Sequence, residues 1–230
     1  MLKLPSIQEC LKNLRDYKPK NDYFNTKYAK KAAVLVPLII NEELEILFTL
    51  RSPNLSSHAG EISLPGGKVD DIDENLIATA FREAEEEVGL KSGDAVYLTH
   101  LEPFISANIL LVTPVVALIT NPTFRPIPNP SEVSECFTVP LRVFISKEYH
   151  ASSDVSWRNA LYKSHRFNWN KWIVIGLSAN MCIEVAKVAF SIHNVGWEEL
   201  AKGQLSRQES VEKLLKDIEN TEKRSNISKL

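Results

Sequence analysis

Residues 82 to 88 read Arg-Glu-Ala-Glu-Glu-Glu-Val and are followed by Gly89 and Leu90. On a helix turning about 100° per residue, with Glu83 set at zero, Glu86 falls near −60° and Glu87 near +40°, so three carboxylates share one face. Glu85, near 200°, points away and is expected to be a solvated surface charge. Ile77, Ala80, Phe81, Ala84 and Val88 span about 60° to 160°, which sets the acids on the margin of a buried stripe. Like charges three and four residues apart cost a helix a few tenths of a kcal/mol per pair, so the cluster calls for a compensating cation. Carboxylate oxygens with coordinated water suit Mg²⁺ or Mn²⁺, and no His or Cys on that face favours zinc. The plainer alternative is a Glu-rich helix that serves solubility alone.

The flanking residues favour the metal. Leu64-Pro65-Gly66-Gly67-Lys68 ends a short strand with two glycines, which lets backbone pass close to the acidic helix and places Lys68 to meet phosphate. Five of the eight glycines lie between residues 60 and 93, so unusual backbone is concentrated there. Prolines 114, 122, 126, 128 and 130 mark a long rigid connection after an apolar strand.

These residues need a scaffold. The acidic helix is expected over Asp73 to Val88, with Asp73 as N-cap candidate and Gly89 at the left-handed C-terminal position. A first helix is expected from Ser6 to Asp16 and another from Ala179 to Ile192. Strands are expected at Ala32 to Ile40 and Leu44 to Arg51, joined as a hairpin, and at Glu61 to Leu64, Ala95 to Phe104, Ile109 to Ile119, Cys136 to Val139, Leu161 to Phe167 and Trp172 to Ile175. Helices alternate irregularly with a mixed sheet, so the class is α+β or an α/β sandwich, without the regular alternation of a doubly wound fold.

The acidic segment resembles the Nudix hydrolase signature, G-x5-E-x7-R-E-U-x-E-E-x-G-U, whose second half matches at Arg82, Glu83, Ala84, Glu86, Glu87, Gly89 and Leu90. In the first half Glu74 lies eight positions before Arg82 as the pattern requires. Lys68 stands at the expected glycine, and Gly67 lies one residue further away. Whether Asp73 or Glu74 takes the isolated acid's role stays open. Leu47-Phe48-Thr49-Leu50-Arg51-Ser52, Leu55, His58 and Gly60-Glu61-Ile62 resemble the coenzyme A diphosphatase branch, in which the longer spacing also occurs, although Leu64 replaces a frequent aromatic. A looser likeness runs through Asn129 to Val133, Val139 to Leu141 and His165 to Phe167, covering roughly residues 30 to 190.

The resemblance implies the Nudix fold, an α+β α/β/α sandwich with its mixed β-sheet between helices, and hydrolysis of the coenzyme A diphosphate to 3′,5′-ADP and 4′-phosphopantetheine. In that frame Glu83 and Glu87 are the principal ligands of Mg²⁺ or Mn²⁺. Glu86 is a further ligand or the base acting on water, and Arg82 orients a glutamate. Arg51 and Lys68 are candidates for the substrate phosphates, with Ser52 and His58 beside them. Trp157, Trp169 and Trp172 could stack an adenine or simply fill core. Two other readings stand beside this one, an NAD(H) or other nucleoside-diphosphate-derivative diphosphatase and a non-catalytic nucleotide-binding module. The intact acidic triplet argues against the module.

With 27 Lys+Arg against 29 Asp+Glu, no global charge draws the 230-residue chain to nucleic acid or an anionic membrane. No apolar run approaches the roughly 20 residues of a membrane span, and the first residues do not read as a secretory signal. The three separated cysteines fit a reducing compartment. The organisation expected is an N-terminal helix and lead-in (1–29), the hydrolase domain (30–203), and a C-terminal helix with an exposed tail (204–230). Val211, Leu214, Leu215 and Ile218 give that helix its face, and the polar run from Asn220 is expected to be released as a solvated tail. It ends in Ser228, Lys229 and Leu230, the tripeptide read by the peroxisomal import receptor at a free C-terminus, so a peroxisomal location is expected.

Overall fold

The computed structural model describes residues 4–20, 23, 26, 29–157 and 160–227, except for the side chains of 222 and 224–227. Ser228, Lys229 and Leu230 lie outside the described residues. A first helix, α1 (Ile7–Asp16), is closed by a capping box in which Ser6 and Glu9 satisfy each other's backbone amides. The hairpin strands β1 (Lys31–Ile40) and β2 (Leu44–Arg51) follow, then the short β3 (Ile62–Ser63) and β4 (Gly66–Lys68). The acidic helix is α2 (Leu76–Val88). After it come β5 (Ala95–His100), β6 (Phe104–Ile105), β7 (Leu111–Ile119) and β8 (Val133–Pro140). A second sheet holds β9 (His150–Trp157), β10 (Ala160–Trp169) and β11 (Trp172–Ile175), and the chain continues into α3 (Gly176–Phe190) and α4 (Arg207–Ile227).

The main sheet runs β3-β2-β1-β7-β5, with β4 on β1, β6 on β7 and β8 on β2. Only the central pair β1 and β7 is parallel among these pairings. Both central strands are near-continuous apolar runs because both their faces are buried. Ala33, Leu35, Val115 and Ala117 meet Ala80, Ala84 and Val88 of α2 on one face. Ala32, Val36, Leu38, Val112 and Val116 meet α1 and α3 on the other. The result is the expected α/β/α sandwich around a mixed sheet.

Several boundaries differ from expectation for identifiable reasons. α2 starts at Leu76 because Asn75, not Asp73, accepts the Ala78 amide at 2.9 Å, while Asp73 is committed elsewhere. Gly89 does hold the left-handed C-terminal position, with φ of 70°. Strand β9 escapes notice in the sequence because six of its eight residues are exposed, so it shows no apolar alternation. The stretch read as one strand from Ala95 is broken after His100 into β5 and β6. The polar run from Asn220 is not released as a tail but continues α4 to Ile227, in keeping with its helix-forming Glu, Lys and Arg. No helix among the described residues is long and apolar enough to cross a membrane.

Candidate functional site

Strands β1 and β2 are antiparallel, so Arg51 at the end of β2 lies at the same end of the sheet as Lys31. There β4 pairs with the first residues of β1, Ala32 facing Lys68 and Val34 facing Gly66. This pairing brings the two glycines under α2. A Cβ on Gly66 would stand 2.5 Å from the Ala33 carbonyl oxygen, and a Cβ on Gly67 would run into the Glu83 carboxylate. Glycine is therefore required for strand β4 and the acidic helix to approach this closely.

Arg82 is the hub of the site. Its Nε and Nη2 donate to Asp73 Oδ1 at 2.8 Å and Oδ2 at 3.0 Å, and Nη2 also donates to the Lys68 carbonyl at 3.1 Å. Its Nη1 donates to Glu83 Oε1 at 3.0 Å and reaches Glu86 Oε2 at 3.2 Å. The Arg82 hydrogen bond holds the Asp73 carboxyl down at about 2. Glu74 is exposed, so Asp73 is the acid that pairs with the signature arginine.

Glu87 faces the opposite situation. It is 2% exposed, and its Oε2 has no hydrogen-bond partner. Burial, opposed by Arg51 and reinforced by Glu132 and Glu83, raises its carboxyl to about 8. Burial likewise raises Glu83, against the pull of Arg82. Glu132 was not among the expected site residues. It is carried in by the proline-rich connection, whose Ile127 and Asn129 amides donate to the Val88 and Glu87 carbonyls at 2.9 Å, capping the end of α2. The Ser52 amide then donates to the Glu132 carbonyl at 2.8 Å. The available signal was the block Asn129 to Val133, which matched the family loosely but showed no function of its own.

The structure thus gathers Arg82, Glu83, Glu86, Glu87 and Arg51. Arg51 Nε is buried without a partner, leaving the guanidinium with unused donor capacity. Lys68 is exposed next to this group. Ser52 is 2% exposed, and its hydroxyl accepts from the Asn54 amide at 3.4 Å, so it braces the loop. His58 stands apart in an exposed loop with φ of 56°, paired through Nδ1 to Glu61 at 2.8 Å. The tryptophans are engaged with other rings: Trp172 stacks on Phe137 at 3.8 Å between centroids, and Trp169 and Trp157 meet Tyr149 and Tyr162 edge-on.

Residues 29–159 match the family model described as the NUDIX domain. The chain belongs to the Nudix family. It is 39% identical over 168 residues to "Nudix hydrolase 15, mitochondrial" of Arabidopsis thaliana, covering 70% of this chain and 59% of that protein. It is 38% identical over 168 residues to "Nudix hydrolase 22, chloroplastic" of the same plant, covering 70% and 56%. It is 33% identical over 184 residues to "Peroxisomal coenzyme A diphosphatase NUDT7" of Mus musculus, covering 73% and 78%. The chain therefore spans well under two thirds of each plant relative's length.

Nudix hydrolases generally use divalent metals such as Mg²⁺ or Mn²⁺. The donor set here fits such an ion: oxygen ligands only, one of them the unpartnered, desolvated Oε2 of Glu87. Among the described residues no three acidic, His or Cys groups are already closed around one point, since Arg82 holds Glu83 and Glu86.

Proposed function

We propose that this chain hydrolyses the diphosphate bond of coenzyme A and its acyl thioesters, giving 3′,5′-ADP and 4′-phosphopantetheine or its acyl derivative, with residues 30–203 carrying the reaction. The observation that bears most weight is the buried Glu87 carboxyl, whose Oε2 has no hydrogen-bond partner beside Glu83, Glu132 and Arg51. A folded protein keeps such a group at a cost unless a ligand satisfies it. Diphosphates resist hydrolysis because their negative charge repels nucleophiles. Glu83 and Glu87, with Glu86 as a further ligand or as the base, would hold Mg²⁺ or Mn²⁺, which would supply the charge neutralisation that this bond requires.

The chain's own residues complete the chemistry. Arg82 is a positioning residue, anchored on Asp73 and the Lys68 carbonyl so that it fixes Glu83 and Glu86. Glu86, with its side chain 51% exposed, is open to water and able to take its proton. Arg51 and Lys68 offer donors to the phosphates. Support for coenzyme A as the substrate comes from the Leu47 to Ser52 and Gly60 to Ile62 segments and from the similarity to the murine protein. The peroxisomal assignment of that protein also supports a peroxisomal location, to which Ser228, Lys229 and Leu230 add a receptor signal where Leu230 is the free terminus.

Chromatography of products after purified protein meets coenzyme A with Mg²⁺ tests the proposal, run beside Glu87→Gln and an NADH control. We expect 3′,5′-ADP from the wild type and none from the variant. Cleavage of NADH with coenzyme A untouched would overturn the substrate. Inertness toward both would overturn catalysis.

A further inference from the structure

A cavity of about 760 Å³ lies on the face of the main sheet opposite α2, where β6, the β9–β10 strands, the first turns of α3 and the segment leading into α4 meet. Its volume is within the range of small-molecule sites. The walls are mixed. Leu177, Ile183 and Leu205 give apolar surface, and charged and hydroxyl side chains stand between them.

Two wall residues carry unsatisfied atoms. Arg207 Nη1 and Asn180 Oδ1 are shut off from water and have no hydrogen-bond partner among the described residues. Each bears the full desolvation penalty of a polar group unless something entering between the walls satisfies it. The Arg207 guanidinium is held from one side: its Nη2 is 3.4 Å from Glu184 Oε2 and 3.9 Å from Glu102 Oε2, and its carbon is 4.6 Å from the centre of the Phe104 ring. Asn180 lies four residues before Glu184 on α3. One strip of the helix therefore carries both the acid that holds Arg207 and the unpaired amide oxygen, about 6 Å apart at their Cβ atoms.

A donor and an acceptor standing this close select what satisfies both. A carboxamide is their complement, because its carbonyl oxygen accepts and its N–H donates. Charge points the same way. Arg207 and Lys187 lie against Glu102, Glu184 and Glu199, so two cations meet three carboxylates, and an entering anion would add to a surplus of its own sign. A single water offers the same donor and acceptor, but its share of liquid volume is about 30 Å³, a small part of this space. We propose that the cavity is a second small-molecule site, taking a neutral carboxamide whose carbonyl oxygen accepts from Arg207 Nη1 and whose N–H donates to Asn180 Oδ1. The apolar body of that ligand lies against Leu177, Ile183 and Leu205. The site is separate from the carboxylate cluster on α2, and the proposal does not rest on the reaction assigned there.

Titrating the isotope-labelled full chain with benzamide, benzoate and acetophenone, followed by amide NMR shifts, tests it. The three probes share one shape. Benzoate replaces the N–H by charge, and acetophenone keeps the carbonyl without the N–H. Benzamide is expected to bind at least about fivefold tighter than either, the worth of one neutral hydrogen bond. Its shifts should centre on Ser106, Asn180 and Ser210 and leave Gly67 and Glu83 unmoved. Asn180→Leu is expected to bind benzamide no tighter than acetophenone while melting at or above the wild type, since an apolar group of similar size replaces an unpaired amide. Equal affinities for the three probes, benzoate as the tightest, no saturable shift with any of them, or shifts confined to Gly67 and Glu83 would each overturn the assignment. A variant that melts well below the wild type would mean that Asn180 is already paired, and would overturn it as well.

Discussion

Charge is handled in opposite ways on the two sides of the sheet. Between α3, α4 and β10, Lys187, Arg207 and Lys163 each lie against carboxylates, and Glu184 joins Lys187 to Arg207. His165 is buried there too, between His150 at 2.9 Å and the Glu199 carbonyl at 3.1 Å. On α2, one cation, Arg82, serves Asp73, Glu83 and Glu86, and Glu87 has an oxygen with no hydrogen-bond partner. Apart from Arg207 Nη1, which is buried without a hydrogen-bond partner, the network between α3, α4 and β10 is matched and can be explained by folding alone. A surplus acid, buried and raised to about 8 by desolvation, cannot, because the chain would gain stability by losing it. The surplus marks where the protein is incomplete without a ligand.

Removing the surplus acid should separate activity from stability. Glu87→Gln is expected to lower kcat about a thousandfold, the loss of several kcal/mol of charge stabilisation. In metal-free urea unfolding the same variant should equal or exceed the wild type, because a neutral amide of the same shape replaces an acid that burial makes costly to ionise. A variant that unfolds much more easily would mean that Glu87 is structurally paired, and the contrast between the two regions would collapse.

Gly67→Ala acts on the same site through geometry. The backbone there is not left-handed, so alanine meets no conformational strain of its own. Its Cβ instead displaces the Glu83 carboxylate, and we expect roughly a 10- to 100-fold fall in kcat/KM with Mg²⁺. Unchanged kinetics would remove Glu83 from the site.

On the matched side the expected order reverses. Lys187→Met leaves Glu199 and Glu184 short of a cation and should cost about 1–2 kcal/mol in urea unfolding, a figure reduced by the partial exposure of these groups. A loss smaller than that seen for Glu87→Gln would reverse the roles assigned to the two regions.

What could be read from the sequence divides along similar lines. The acidic face of α2 and the strands β1, β2 and β7 were legible because helical and strand periodicity encode burial directly, and Gly89 marked its helix end. The role of Asp73 was not. Its spacing from Arg82 is one residue off the family pattern, and only the loop's path brings it to the guanidinium. Glu132 was illegible for a related reason: it reaches the site through backbone bonds from Asn129 and Ile127 to the end of α2, contacts between segments far apart in the chain. β9 carries no apolar alternation because most of its residues face water.

The smallest effect at any single pH, spread over several units, is the titration of Glu87 itself. Its folded carboxyl is raised to about 8 from an ordinary 4.5, so between those values the folded protein holds a proton that the unfolded chain has released. The Glu87 contribution to the stability of the metal-free protein should therefore fall as pH rises through that window and level off above about 8. Asp73 has the opposite sign: held at about 2, it contributes stability above 3.8 that disappears as the pH drops through its folded value. Urea midpoints measured from about pH 7 to about pH 8, above the range in which the lowered His150 and His165 favour the fold as pH rises, should decline in the wild type and flatten in Glu87→Gln. Saturating Mg²⁺ should flatten the wild-type curve as well, since the ion requires the carboxylate form and displaces the same proton. Parallel slopes in the two proteins would place the titrating group elsewhere, and a wild-type slope indifferent to Mg²⁺ would separate Glu87 from the metal.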